Sequence, residues 1–214
     1  MKTQEKIDLY KLHKAEYAAT RKPALVEIQP ALYLAIDGQG APGGEAFTTS
    51  IGALYGAAFT IKMTRKFTGL QDYAVCKLES LYWTEPDTAD FGKVPKEEWC
   101  WKLLIRTPSF VTERDLESAV AALLKRGKDE TVRQVRLETL AEGRCVQMLH
   151  VGPYEREHES VTLMMAFAEK HGLKFQGRHH EIYLSDPRRV EPEKLKTILR
   201  HPVGAGDRLL AAAY

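Results

Sequence analysis

Cysteine is scarce. The chain of 214 residues has three, Cys76, Cys100 and Cys145, far apart and without a Cys-x-x-Cys pair. That excludes a disulfide scaffold or a thiolate zinc site and fits reduced, buried thiols in a cytoplasmic protein. An excess of one charge is also missing: 31 Lys and Arg face 29 Asp and Glu, a formal net charge of +2, with the signs interspersed. A dedicated nucleic-acid binder carries a basic patch or stripe. The run Lys62-Met63-Thr64-Arg65-Lys66 is short and has no interleaved aromatics, so no nucleic-acid partner is expected. No apolar run approaches the roughly 20 residues of a membrane span, so no membrane partner is expected either. The amino terminus, Met1-Lys2-Thr3-Gln4-Glu5-Lys6, has no apolar signal core, which again points to the cytoplasm.

With 44% hydrophobic and 28% charged residues, the chain has the composition of a globular protein with a sizeable core. Residues 4–18 read as an amphipathic helix anchored by Ile7, Leu9, Tyr10, Leu12 and Tyr17 and broken at Lys22-Pro23. Leu25 to Ile28 and Tyr33 to Ile36 read as strand pieces. The loop Asp37-Gly38-Gln39-Gly40-Ala41-Pro42-Gly43-Gly44 lacks both the phosphate-binding lysine and the G-x-G-x-x-G spacing, so it reads as a glycine turn and no cofactor is expected. Phe47, Ile51, Leu54, Tyr55, Ala58 and Ile61 recur at helical spacing over 45–64. Tyr73 to Trp83 and Trp99 to Arg106 read as strands, the second with Trp99, Trp101, Leu103 and Ile105 on one face. Thr112-Glu113-Arg114-Asp115 has the form of a capping box, opening a helix that stops at Gly127.

The second half repeats the order. Arg133 to Glu138 and Arg144 to His150 read as strands, Glu157 to Lys170 as a helix closed by Gly172, and Phe175 to Leu184 as a strand. Pro192 suits the first turn of a final short helix with Leu195, Ile198 and Leu199, stopped by Pro202, although a strand in that place would complete the repeat. The expected organisation is an N-terminal helix at 1–22, a first module at 23–127, a second at 131–203 and a tail at 204–214.

Within Gly177 to Pro187, strand alternation puts His179, Glu181 and Tyr183 on one face and His180, Ile182 and Leu184 on the other. A carboxylate and a phenol two residues apart stand within reach of one small reacting group. Metal is the rival chemistry, since His150, His158, His171, His179 and His180 are all nearby in sequence. His179 and His180 face opposite ways, however, and no H-E-x-x-H or H-x-H spacing occurs, so no metal is expected. A Cys145–His150 nucleophile lacks a third, orienting group. Arg178, Arg188 and Arg189 read as a solvated rim.

Several segments together resemble the GyrI-like small-molecule-binding proteins, in their stand-alone branch, over nearly the whole chain. They are Leu25-Val26-Glu27-Ile28 with Ala35 to Gly40, Ala53-Leu54-Tyr55, Trp101 to Pro108, His150-Val151-Gly152-Pro153-Tyr154, and His180 to Pro187. The resemblance implies an α+β fold of two pseudo-symmetric strand-helix-strand-strand modules with a ligand cleft between them. It implies ligands that are lipophilic, aromatic and often cationic, in a detoxification or sequestration role, with a buried glutamate at Glu181. It also implies an enzymatic alternative, because some stand-alone members open the cyclopropane of cyclopropanoid DNA-alkylating compounds, and Glu181 with Tyr183 looks like the pair used there. The family name raises a third class, a protein inhibitor of a topoisomerase. The absence of a helix-turn-helix before residue 20 departs from the transcription-regulator branch.

Candidate ligand-binding residues are Glu181, Tyr183, Trp101, Trp99, Trp83, Tyr154, Glu79, Phe47 and Tyr55. The aromatics offer cation–π walls, and Glu79 reads as the counterpart of Glu181 in the first module. The catalytic candidates are Glu181 and Tyr183. Their types allow either to handle the water or the developing phenolate; the preferred assignment is Glu181 as base and Tyr183 as hydrogen-bond assistant. A monomer or a homodimer is expected.

Overall fold

Apolar residues at three- and four-residue spacing between Phe47 and Ile61 build a 23-residue helix, which packs on a sheet whose central strands are apolar on both faces. The computed structural model describes residues 5–85 and 94–206. The chain divides into two compact units, residues 1–15 with 30–141 and residues 16–29 with 142–214. The remainder of the expected tail, from residue 207, lies outside the described residues.

At the amino terminus the expected single helix is two short ones, α1 (Leu9–Leu12) and α2 (Lys14–Tyr17). The Asp8 carboxylate caps α1 by accepting from the backbone of Tyr10 and Lys11, and the His13 N–H closes its end on Leu9.

The first unit contains β2 (Ala31–Gln39), α3 (Glu45–Phe67), β3 (Glu79–Trp83), β4 (Cys100–Arg106), α4 (Glu113–Lys125) and β5 (Arg136–Leu140). Its strands are antiparallel in the order β3-β4-β2-β5. Leu34, Ile36, Trp101, Leu103 and Ile105 face α3 and α4, while Tyr33, Ala35, Leu81 and Leu104 form a separate cluster on the other face. The capping box is present: Thr112 Oγ1 accepts from the Asp115 N–H, and Asp115 accepts from the Thr112 N–H. Asp115 also holds Arg65 of α3 at 3.1 Å, tying the two helices together. The strand expected over 73–83 is regular only from Glu79, with Tyr73 making an isolated bridge to Ile7.

The second unit contains β1 (Ala24–Ile28), β6 (Gly143–Val151), α5 (Glu157–Lys170), β7 (Leu173–Phe175), β8 (His179–Tyr183) and β9 (Lys196–Ala205). Its order is β1-β6-β9-β8, with β7 pairing the far end of β9. Helix α5 packs Met164 and Ala168 on Val146, Met148 and Leu199. The short helix expected after Pro192 is instead a single 3-10 turn, Pro192–Lys194, leading into β9. Thr197, Ile198, Leu199 and Arg200 are all buried, so β9 shows no alternation, and its apolar spacing imitates a helix. Pro202, read as a helix stop, lies within the strand opposite Cys145.

The strand-helix-strand-strand repeat is present as β2-α3-β3-β4 and β6-α5-β8-β9, with matching sheet order. The units differ from the expected module boundaries: the amino-terminal stretch is divided at residue 15, β1 pairs with β6 and β5 with β2. Each strand that precedes a module in the chain thus joins the sheet of the other. Among the described residues, no helix is long and apolar enough to cross a membrane.

Candidate functional site

Register builds the site in the second unit. Tyr183 of β8 lies opposite Thr197 of β9, and Thr197 lies opposite His150 of β6. Two rungs along, Glu181 lies opposite Leu199, and Leu199 opposite Met148. Directly paired residues share a face, and Met148 and Leu199 pack on α5. Glu181, Tyr183, Thr197 and His150 therefore all face α5. The intervening rung, Leu149, Ile198 and Ile182, and the rung beyond Glu181, Gln147, Arg200 and His180, point to the opposite side.

Glu181 is only 8% exposed. Its Oε2 accepts from the Tyr183 hydroxyl at 2.8 Å, and its Oε1 lies 3.5 Å from His179 Nε2. Tyr154, in the turn before α5, meets the Tyr183 ring edge-on at 6.0 Å. Burial pushes the Tyr154 phenol up to about 12, helped by the charges of Glu157 and Glu181. His150 reaches α5 through Nδ1, 2.9 Å from Ser160 Oγ. Beside His179, burial and the neighbouring imidazole hold His201 down to about 4, so it is neutral at physiological pH.

The sequence reading missed Glu157, the first residue of α5. It is also 8% exposed, and its carboxyl faces those of Glu181 and the Thr197 hydroxyl. Glu157 Oε1 and Thr197 Oγ1 have no hydrogen-bond partner among the described residues. Burial first, and then the Glu181 charge, raise the Glu157 carboxyl far above the usual carboxylate range. The run Glu155-Arg156-Glu157-His158-Glu159 gave no signal, because it has the polarity of a solvated helix start.

The opposite face holds a second buried group. Arg200, 1% exposed, donates to Gln147 Oε1 at 2.8 Å, Glu142 Oε2 at 3.0 Å and the Glu16 carbonyl at 2.7 Å. Glu142 also receives His180 Nδ1 at 2.9 Å. Although burial alone would raise it, the adjoining His180 and Arg200 hold the Glu142 carboxyl down to about 2.

The remaining candidates lie in the first unit. Trp101 is buried and meets Phe47 edge-on at 5.2 Å. It lines a pocket of about 230 Å³ with Asp37, Gly38 and Ser50. Trp99 contacts Tyr82 at 5.8 Å and donates its indole N–H to Val94 O. Tyr55 stacks on Phe59 at 6.0 Å, and Trp83 is half-buried with Glu85 at 3.5 Å. Glu79 is fully buried, but it pairs with Leu104 and so faces away from α3. Glu181 faces α5, so the two glutamates are not topological counterparts; on β3 the helix-facing positions are Ser80 and Tyr82.

A hydrogen-bonded phenol and carboxylate beside a second buried carboxyl can accept, hold and return a proton. No curated protein matches the chain. A conserved protein from Listeria innocua is 40% identical, with the match covering 93% of this chain and all of that one at a TM-score of 0.85. A protein from Listeria innocua named as a hydrolase is 39% identical over 93% of this chain and all of its own, at a TM-score of 0.83. The C-terminal domain of EcmrR, 13% identical over 86% of this chain and 98% of its own with a TM-score of 0.56, shares the fold. Residues 21–203 match the GyrI-like small-molecule-binding domain, and the chain belongs to that family.

Proposed function

We propose that the protein takes lipophilic aromatic small molecules and that Glu181, with Tyr183, adds water to the activated cyclopropane of cyclopropanoid DNA-alkylating compounds, detoxifying them. The observation that carries this reading is the 2.8 Å hydrogen bond from Tyr183 to a buried Glu181. The Listeria relatives named as hydrolases, 39% identical to this chain, support it.

In such a substrate the cyclopropane is conjugated to a dienone. The water oxygen bonds to the ring CH₂, the strained C–C bond breaks, and its electron pair moves through the ring system to the carbonyl oxygen. Glu181 takes the proton that the water loses. Tyr183 holds the water or hydrogen-bonds to the phenolate as it forms. The phenolate then gains a proton, so the sum is the addition of one water with no metal or redox partner.

The second reading is binding without turnover. It is favoured by a carboxylate set beside the rings of Tyr154 and Tyr183, an arrangement that attracts a delocalised cation. Incubation with a cyclopropanoid in heavy-oxygen water separates the two. Hydrolysis places one heavy oxygen on the former ring CH₂, whereas a pure binder returns the compound unchanged.

A further inference from the structure

Helix α5 delivers a second carboxyl to Glu181. Glu157 and Glu181 are each 8% exposed; Glu181 lies on the sheet face that α5 covers and Glu157 opens α5 over that face, which brings the two buried carboxyls together. Two carboxylates cannot both ionise in contact out of water, and two acceptors do not attract unless a proton lies between them. The surroundings offer little relief. On α5 and the turn before it the neighbours are Glu155 and Tyr154, on β9 the Thr197 hydroxyl, and on β8 His179 and Tyr183, both of which contact Glu181. Glu157 Oε1 and Thr197 Oγ1 have no partner among the described residues.

We propose that Glu157 and Glu181 form a one-proton dyad in which Glu157 keeps the proton and thereby leaves Glu181 as the base. This rests on the reading of Glu181 as the group that activates water. Glu157 is a positioning residue: it acts through Glu181 and does not touch the reacting carbon. With both groups protonated at low pH the base is lost. With both ionised at high pH the carboxylates repel, and the contact that orients Glu181 opens. Turnover is therefore bell-shaped in pH, and its alkaline limb belongs to Glu157.

The first test needs no substrate. Carbon-13 NMR of glutamate-labelled protein at neutral pH should show a protonated side-chain carboxyl that is absent from Glu157→Gln. If every glutamate is ionised at neutral pH, or the protonated signal persists in Glu157→Gln, the dyad is overturned. The second test uses a cyclopropanoid. Glu157→Gln, which still donates a hydrogen bond but cannot ionise, should lose the alkaline limb, and at neutral pH should exceed Glu157→Ala by at least about ten-fold in turnover. An unchanged alkaline limb, or equal rates in Gln and Ala, contradicts the assignment. If the wild type shows no turnover at all, the hydrolase reading fails, and the carboxyl signal still decides the dyad.

Discussion

The Tyr183 hydroxyl donates to Glu181 Oε2 at 2.8 Å along one face of β8, two residues apart on the same strand. A hydrogen bond to a charged group is worth about 1.5–3 kcal/mol. Tyr183→Phe should therefore lower cyclopropanoid turnover by about ten- to a hundred-fold, since each 1.4 kcal/mol is a factor of ten. Binding of a cationic aromatic dye keeps the ring face and should change by less than about three-fold. Steady-state kinetics and dye titration of the same preparation check both parts.

Glu157 and Glu142 move stability with pH in opposite directions. The folded-state carboxyl of Glu157 lies above its unfolded value of 4.5. Between those limits the folded state binds more protons, so its contribution is full below the unfolded value and is lost as pH rises. Glu157→Gln should thus melt higher than wild type at alkaline pH, with the difference shrinking as pH falls toward 4.5. A melting series across pH measures it.

For Glu142 the folded-state value is depressed from 4.5 to about 2. Its contribution is present above 4.5 and disappears as pH falls toward 2. Glu142→Gln should flatten the acid limb of the stability curve. Glu142→Ala removes the acceptor oxygens as well as the charge, taking from Arg200 and His180 their shared carboxylate, and breaking a buried pair in this way costs about 3–5 kcal/mol. Urea unfolding at neutral pH should show a loss of that size.

Much of the candidate site's strand was legible because a period of two needs only the sequence: His179, Glu181 and Tyr183 share a face in β8. The capping box at Thr112 and the extent of α5 were legible for the same local reason. What was hidden depends on contacts distant in the chain. Glu157 looks like a surface residue until α5 docks, and Arg200 lies in a stretch whose apolar spacing fits a helix as well as a strand buried on both faces. The exchange of β1 and β5 between the units is a matter of pairing partners, on which hydrophobic periodicity is silent.

Gly38 offers a test of the first unit. A Cβ there would fall 2.1 Å from the Trp101 ring, and Trp101 is itself held against Phe47. Gly38→Ala should cost about 1–3 kcal/mol through overpacking. A shift in Trp101 fluorescence, read in a variant lacking Trp83 and Trp99, should accompany the loss in urea midpoint.

The central claim is that Glu181 does the chemistry at a site that also binds. The most direct measurement is Glu181→Gln, assayed side by side for cyclopropanoid hydrolysis and for retention of a neutral aromatic ligand. The account predicts turnover reduced at least about a hundred-fold, the scale of a lost general base, with neutral-ligand affinity close to wild type. Turnover equal to wild type in a folded Glu181→Gln protein would contradict it.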